Sequence, residues 1–358
     1  MIGREEKVKI SFFNIYWPTN IGNAFVDLGS MQSINEALNK KCIICTTSTY
    51  SKMLFEEKFK FPLGKTIEKV CGNQIISKIS QKFAYIETNF LKKNNLIKKE
   101  EKLECYYLDI GKLFRTEYAV FSGMILWNDF IKRHKSTFLT LKKKGVKIIL
   151  NGVGGPFYSE KEINFVRQFL KQLRPYALIS RDDKAFKYYA DLAEHSYNGI
   201  DCAFFINDYY KPPKLDLADY IVICFDKLPE PKVNLEDKLV IRVHHYWSSQ
   251  TYPYRIPKEY FLKPNTIISD SPYDYLNLYA NTSATYSDRI HACVVTMSYG
   301  HPARLFAGND IEVRNRMLLF RKIGADSIVR RLTHPDIKKI EKEKEKQVMF
   351  LREIFGYA

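Results

Sequence analysis

Hydrophobic residues in this chain fall into short solid runs separated by segments with helical spacing. Residues 7–15 (KVKISFFNI) form the first run and read as a strand. A loop carrying Gly22 and Asn23 leads from it into helix-compatible sequence through Leu38, and residues 41–46 form a second strand. This order of strand, glycine loop, helix and strand opens an α/β sheet. Further strands are predicted at 118–127, 146–150 and 177–180. The intervening helices run to Lys144, from Ser159 to Leu173, and from Asp182 to Leu192, and residues 198–204 (NGIDCAF) read as the last edge element of a first lobe. The pattern is least legible over 51–104, where 61–64 marks a turn, 66–90 has helical spacing and 92–102 is a charge-dense, exposed connection.

The two prolines in 208–216 (DYYKPPKLD) cannot continue a helix or a central strand, so this stretch reads as a linker. That divides the chain into an N-terminal α/β lobe (1–207), a linker (208–218) and a C-terminal α/β lobe (219–358). The second lobe starts with strands at 219–224 and 239–243, the latter ending in His244-His245. A strand at 266–269, a helix at 272–281 and terminal helices at 313–323 and 337–355 complete it. The mixed lysines and glutamates of the last helix give it a solvated face.

The strand ends carry the candidate chemistry. A short run ends at Ser287-Asp288, both good N-cap residues, and an apolar helical segment follows until Gly300 and Pro302, with 303–306 as another strand. Arg289 and His291 fall in the first helical turn, where a cation opposes the macrodipole. An arginine there is explained if it joins the free N–H groups in holding an anion, or else it snorkels to solvent. Arg181 repeats the arrangement, directly after the strand at 177–180 and beside a helix start. Gly22-Asn23, and Gly154-Gly155 within 151–157, lie in loops at the carboxyl edge, where α/β sheets bind ligands. Neither loop is a G-x-G-x-x-G or Walker A fingerprint, and plain tight turns explain them equally well.

Composition narrows the picture. With 358 residues, 46% hydrophobic and 27% charged, the chain exceeds the usual size of one core. Lysine and arginine number 56 against 40 acidic residues, and the net charge of +16 favours an anionic partner. The lysines lie in dispersed runs that also suit plain solvated faces. Seven irregularly spaced cysteines fit a reducing cytoplasm rather than a disulfide framework. Cys42 and Cys45 form a lone C-x-x-C, read as core cysteines because no further ligand pair supplies a zinc site. No signal peptide, membrane span or clustered metal-ligand set is evident, so a metal-independent, cytoplasmic protein is expected.

Taken in order, these pieces resemble the polysaccharide pyruvyl transferase family. Asn20-Ile-Gly-Asn-Ala is similar to its N-terminal loop, Phe121-Ser-Gly123 to its strand-end glycine segment, and Gly152 to Phe157 to its second glycine loop. Ser180-Arg-Asp182, Gly199 to Phe204, and Ser287-Asp-Arg-Ile-His-Ala292 with Gly300-His-Pro302 resemble its remaining elements. The resemblance implies a GT-B type fold of two Rossmann-like lobes with mostly parallel sheets and the active site in the cleft between them. It implies transfer of a pyruvyl group from phosphoenolpyruvate to sugar hydroxyls of a glycan or lipid-linked glycan precursor, giving a pyruvate ketal, with no cofactor. By matched position, Arg181, Arg289 and His291 are the expected donor-site residues, with His291 moving the proton and the arginines clamping the donor.

Gly22, Asn23, Gly154, Gly155 and Asp288 are expected to line the substrate, and His244 to reach the acceptor or to lie at the surface. Since adjacent histidines point to opposite faces, at most one of His244 and His245 is expected to face the site. Asp182 reads as a helix cap, Asp201 as a residue that orients a cleft group or holds a turn, and His301 as structural. Tyr246, Trp247, Tyr252 and Tyr254 suit either sugar stacking or packing. Peripheral attachment to an anionic membrane fits the charge, and no specific nucleic acid is expected. Two other readings are a nucleotide-sugar glycosyltransferase, for which Asp270 and Asp274 are the acidic candidates, and a non-catalytic glycan- or nucleic-acid-binding relative.

Overall fold

The computed structural model describes residues 7–15, 20–39, 42–48, 109–232, 238–245, 263–308, 315 and 317–357. Residues 1–49 and 110–358 form one compact unit, and residues 50–109 form a second, of which only Asp109 is described. The sequence readings over 51–104 and those for Tyr246, Trp247, Tyr252 and Tyr254 therefore lie outside the described residues.

The main unit contains two parallel sheets. The first has β1 (Val8–Asn14), β2 (Cys42–Ser48), β3 (Tyr118–Gly123), β4 (Lys147–Val153), β5 (Ala177–Ser180) and β6 (His195–Asn198), in the order β2-β1-β3-β4-β5-β6. The second has β7 (Tyr220–Cys224), β8 (Leu239–Val243), β9 (Thr266–Ile267), β10 (Ala284–Ser287) and β11 (Ala303–Leu305), in the order β11-β10-β7-β8-β9. All pairings among these strands are parallel. Every residue of β3, β5 and β7 is buried, as expected when helices cover both faces of a parallel sheet. Two such doubly wound sheets in tandem are the plan of the GT-B type.

The helices are α1 (Gly22–Ala37), α2 (Asn128–Lys143), α3 (Glu160–Leu173), α4 (Asp183–Tyr189), α5 (Ile206–Tyr209), α6 (Pro272–Tyr279), α7 (Ile290–Ser298), α8 (Leu319–Lys322) and α9 (Ile337–Phe355). One apolar core runs continuously between the sheets, joining Ile10 and Phe25 of the first part to Phe204, Val243, Tyr279 and Val294. Separate clusters cover the far face of each sheet. In both sheets the strand order reverses beside the first strand, so the carboxyl ends of β1 and β3, and of β7 and β10, flank the crevices where such folds bind ligands.

Several details differ from the sequence pattern. Residues 195–198 form a strand, while Cys202–Phe205 is a 3-10 turn rather than an edge element. β6 is an edge strand of half-buried polar residues, so it has no apolar run to announce it. β2 is likewise an edge strand, leaving Cys45 exposed and Cys42 half-buried, so these two are not core cysteines. The terminal helix α9 turns away from the second sheet to pack on the first. Tyr176 Oη donates to the Ile354 carbonyl at 2.5 Å, and Phe355 stacks edge-on against Tyr118 at 4.9 Å. Among the described residues, no helix is long and apolar enough to cross a membrane.

Candidate active site

The first wall of the site is built from the ends of β4, β5 and β6. Arg181 follows β5 directly, and its amide donates to the Val153 carbonyl at 3.0 Å, which fixes its backbone against β4. Its side chain is 2% exposed and donates from Nη1 to Asp201 Oδ2 at 2.9 Å. Nη2 is buried and has no hydrogen-bond partner among the described residues. An unpaired guanidinium N–H in the interior is unfavourable by roughly 1–3 kcal/mol unless something accepts from it. Gly154 makes room for this arginine, because a Cβ there would meet Arg181 Nε at 2.9 Å and Asp182 Oδ2 at 2.7 Å. Gly155 is anchored from below, where its amide donates to Tyr158 Oη at 3.1 Å and Tyr158 donates in turn to the Asp182 carboxylate. Asp182 caps α4, accepting from the Ala185 amide at 2.8 Å, and burial raises its carboxyl against that amide and the Arg181 charge.

Asp201 joins this wall to the second sheet. Its Oδ1 accepts from the Ala203 amide at 2.9 Å, and its Oδ2, already held by Arg181, lies 3.5 Å from His291 Nε2. Burial opposes its charge, but His291 and Arg181 together hold the carboxyl well below its ordinary value. One Asp201 oxygen thus holds a turn, and the other lies against two candidate site groups.

The second wall stands on the ends of β7, β8 and β10. Helix α7 begins at Ile290, so Arg289 is its N-cap with extended backbone and not a residue of the first turn. Ser287 and Asp288 do other work. Ser287 Oγ donates to the Cys224 carbonyl at 2.8 Å and accepts from the Arg289 amide at 2.7 Å. The Asp288 carboxylate accepts from the amides of Asp226, Lys227 and Leu228 at 3.1, 2.7 and 2.7 Å. Three backbone donors leave Asp288 shaping the wall rather than presenting an open binding group. Arg289 is 6% exposed, with Nε 3.4 Å from Asp226 Oδ2. The Asp226 side chain is fully buried, with Oδ1 3.5 Å from His244 Nδ1. Burial and the nearby Asp288 push its carboxyl up to about 7 although Arg289 pulls it down.

His244 and His245 are both 1% exposed, so neither lies at the surface. Both lie past the end of β8 and their rings take different partners: His244 faces Asp226, while His245 Nε2 lies 2.7 Å from Tyr279 Oη. Burial and the surrounding cations lower the His245 ring well below its ordinary value. His301 is structural, with Nε2 3.0 Å from the Ala280 carbonyl.

The start of α1 meets both walls. The Ile21 amide donates to the His245 carbonyl at 2.9 Å, and a Cβ on Gly22 would lie 3.0 Å from His291 Nδ1. Asn20 Oδ1 accepts from the Gly22 amide at 3.1 Å, and the Asn23 amide donates to the Asn20 carbonyl at 2.9 Å. The loop therefore folds on itself and brings the Gly22 backbone close to His291.

The structure thus brings Arg181, Gly154, Asp201, His291 and Gly22 into one chain of contacts, and Arg289, His244 and Asp288 into a second around Asp226. Sequence reasoning missed Asp226 and Lys322. Asp226 stands just after an apolar strand, the same signal that marked Arg181. Lys322, on α8, donates to Asn198 Oδ1 and the Gly199 carbonyl at the end of β6, and burial lowers it to about 8 despite Asp183 and Asp182. Its strand-end role has no local signature. Among the described residues, no three His, Cys, Asp or Glu side chains group as a metal site.

The profile of the polysaccharide pyruvyl transferase family matches residues 20–310. No curated protein matches by sequence. A UDP-N-acetylglucosamine 2-epimerase from Rickettsia bellii superposes with a TM-score of 0.47 at 13% identity, covering 98% of this chain and 97% of that one. The S. aureus MnaA–UDP structure gives 0.46 at 11% identity, covering 98% and 91%. Likeness at this level says nothing about chemistry.

Proposed function

The chain belongs to the polysaccharide pyruvyl transferase family, and on that premise we propose that it transfers the pyruvyl group of phosphoenolpyruvate onto two saccharide hydroxyls, closing a cyclic ketal. The acceptor is a glycan or lipid-linked glycan precursor in cell-surface polysaccharide synthesis. The observation that carries the reading is the Asp201 carboxylate, which ties a first-sheet arginine with a spare buried N–H to a second-sheet histidine. A phosphate or carboxylate supplies the acceptor that Arg181 Nη2 lacks, and phosphoenolpyruvate carries both groups.

The overall reaction balances without an added reagent. Phosphoenolpyruvate and the two hydroxyls give the ketal carboxylate and hydrogen phosphate. One hydroxyl proton ends on C3, turning the methylene into a methyl group, and the other ends on phosphate. Two C2–O bonds to sugar form, and the C2–O bond to phosphate breaks. His291 gives the proton to C3 and takes one back from an incoming hydroxyl, a pairing of roles to which imidazole is suited. Arg181 and Arg289 hold the donor and offset the charge on the departing phosphate. Asp201 fixes the relative orientation of Arg181 and His291. Asp274, weighed for nucleotide-sugar binding, accepts instead from Ser269 Oγ at 2.5 Å within its own turn.

The test is phosphate release from phosphoenolpyruvate in the presence of candidate glycans, alongside thermal melting with phosphoenolpyruvate and with nucleotide sugars. Phosphoenolpyruvate should raise the melting temperature. His291→Ala should abolish turnover while retaining donor binding, and Arg181→Ala should weaken donor binding. Stabilisation by nucleotide sugars alone would overturn the reading.

A further inference from the structure

The roles above leave Asp226 unused. This carboxylate stands two residues past the end of β7, at the point where the strand order of the second sheet reverses, and its side chain is fully buried. Its oxygens face two different groups, Arg289 Nε at 3.4 Å from Oδ2 and His244 Nδ1 at 3.5 Å from Oδ1. The His245 amide reaches the same carboxylate at 3.3 and 3.4 Å. Folding alone gives little reason for a charge here. A buried ion pair is weak evidence for stability, since apolar replacements of similar volume are often neutral or stabilising. The turn after β7 is already held by Asp288, which takes the amides of residues 226 to 228. A second carboxylate beside Asp288 adds repulsion and desolvation, both of which act on Asp226.

The same motif occurs once more in the site. Asp201, also fully buried and just past a strand end, holds Arg181 and faces His291. We infer that Asp226 is a positioning residue of the transfer reaction, holding Arg289 and His244 on the second wall as Asp201 holds Arg181 and His291 across the first. The inference rests on the pyruvyl-transfer reading. An arginine fork recognises phosphate or carboxylate only when its plane is fixed, and a carboxylate on Nε fixes it. The charged and titratable groups around Asp226 are Arg289, Asp288, Lys227, His244, Cys224 and the hydroxyls of Tyr275 and Tyr279. Only the ionised carboxylate can orient Arg289 in this way, so activity should rise with pH as Asp226 loses its proton near 7.

The test is steady-state kinetics of the full chain, wild type against Asp226→Asn and Asp226→Glu, with the pH profile of kcat/KM for phosphoenolpyruvate. Asp226→Asn should lower kcat/KM roughly 10–100-fold, the range seen when carboxylates that orient ligating imidazoles are removed, and should lose the rise near neutral pH. Asp226→Glu, which keeps the charge, should recover part of the activity and retain the rise. In an Arg289→Lys background Asp226→Asn should add little further loss, because both changes remove one unit. Wild-type kcat/KM and an unchanged pH profile in Asp226→Asn would overturn the inference with pyruvyl transfer intact. If Asp226→Asn does not fold, loss of the rise near neutral pH in Asp226→Glu, which keeps the carboxylate, would overturn it instead. A wild-type protein that neither binds nor consumes phosphoenolpyruvate would sink the pyruvyl-transfer reading itself, and this inference with it.

Discussion

At the scale of single residues, the two buried aspartates have opposite electrostatics, and that difference can be measured. Asp201 has its carboxyl held below the ordinary 3.8 by His291 and Arg181 against the effect of burial. A depressed folded value means that its contribution to stability is present above the unfolded value and is lost as pH falls toward the folded one. Asp201→Asn breaks a buried pair and leaves Arg181 charged in the interior, which should destabilise the fold by roughly 3–5 kcal/mol at neutral pH. In denaturant unfolding the gap between wild type and variant should narrow as the pH drops below about 4. A gap that stays constant with pH would mean that the ion pair is not its source. Asp226 runs the other way. Its folded value is raised from 3.8 to about 7, so the stability associated with its protonated form is lost as pH rises through that window. Asp226→Asn should flatten that decline while lowering activity, which separates its stability from its role in the site.

Among the elements, the start of α1 sets how closely the two walls meet. At Gly22 an added Cβ would meet His291 Nδ1 at 3.0 Å and its Cβ at 3.2 Å. Alanine favours a helix over glycine by about 1 kcal/mol, so Gly22→Ala should leave the melting temperature close to wild type while displacing the imidazole. A displaced catalytic group can lose up to about a hundredfold in rate, so kcat should fall by roughly 10–100-fold. Gly29, two turns further along α1, gives the contrast. A Cβ there would stand 1.9 Å from the Cys202 carbonyl, a backbone atom that cannot swing aside. Gly29→Ala should therefore destabilise the fold itself by about 1–3 kcal/mol or more. Near-equal effects of the two substitutions on melting would refute this division. Most strands were legible because a buried parallel strand is a solid apolar run, Arg181 was legible because charge follows such a run at once, and Arg289 because a cation stands at the start of an apolar helix. β6 was hidden by its polar edge position, and Asp288 read as a helix cap because sequence does not show three amides of a neighbouring loop converging on one carboxylate.

For the molecule as a whole, the chain does not end in the half where the sequence pattern left it. The alternation of α9 announces an amphipathic helix, but nothing in one helix's spacing names the surface it will cover. The helix returns to the first sheet, where its Gln347 is fully buried between two elements of the site's first wall. Gln347 Oε1 accepts from the Ile200 amide at 2.8 Å, and its Nε2 donates to Asn151 Oδ1 at 3.3 Å. Ile200 precedes Asp201, and Asn151 lies in β4 ahead of the Gly154–Gly155 loop, so one amide braces the backbone on both sides of Arg181. Gln347→Ala leaves a buried N–H and a buried carbonyl without partners, each unfavourable by about 1–3 kcal/mol, and opens a cavity in their place. Gln347→Leu keeps most of the volume but not the hydrogen bonds. If the brace supports the site, both variants should lose stability by a few kcal/mol and should weaken donor binding under conditions where they remain folded. Methionine or leucine at this position with full stability and wild-type donor affinity would show that α9 merely covers the sheet and that the geometry around Asp201 is maintained locally.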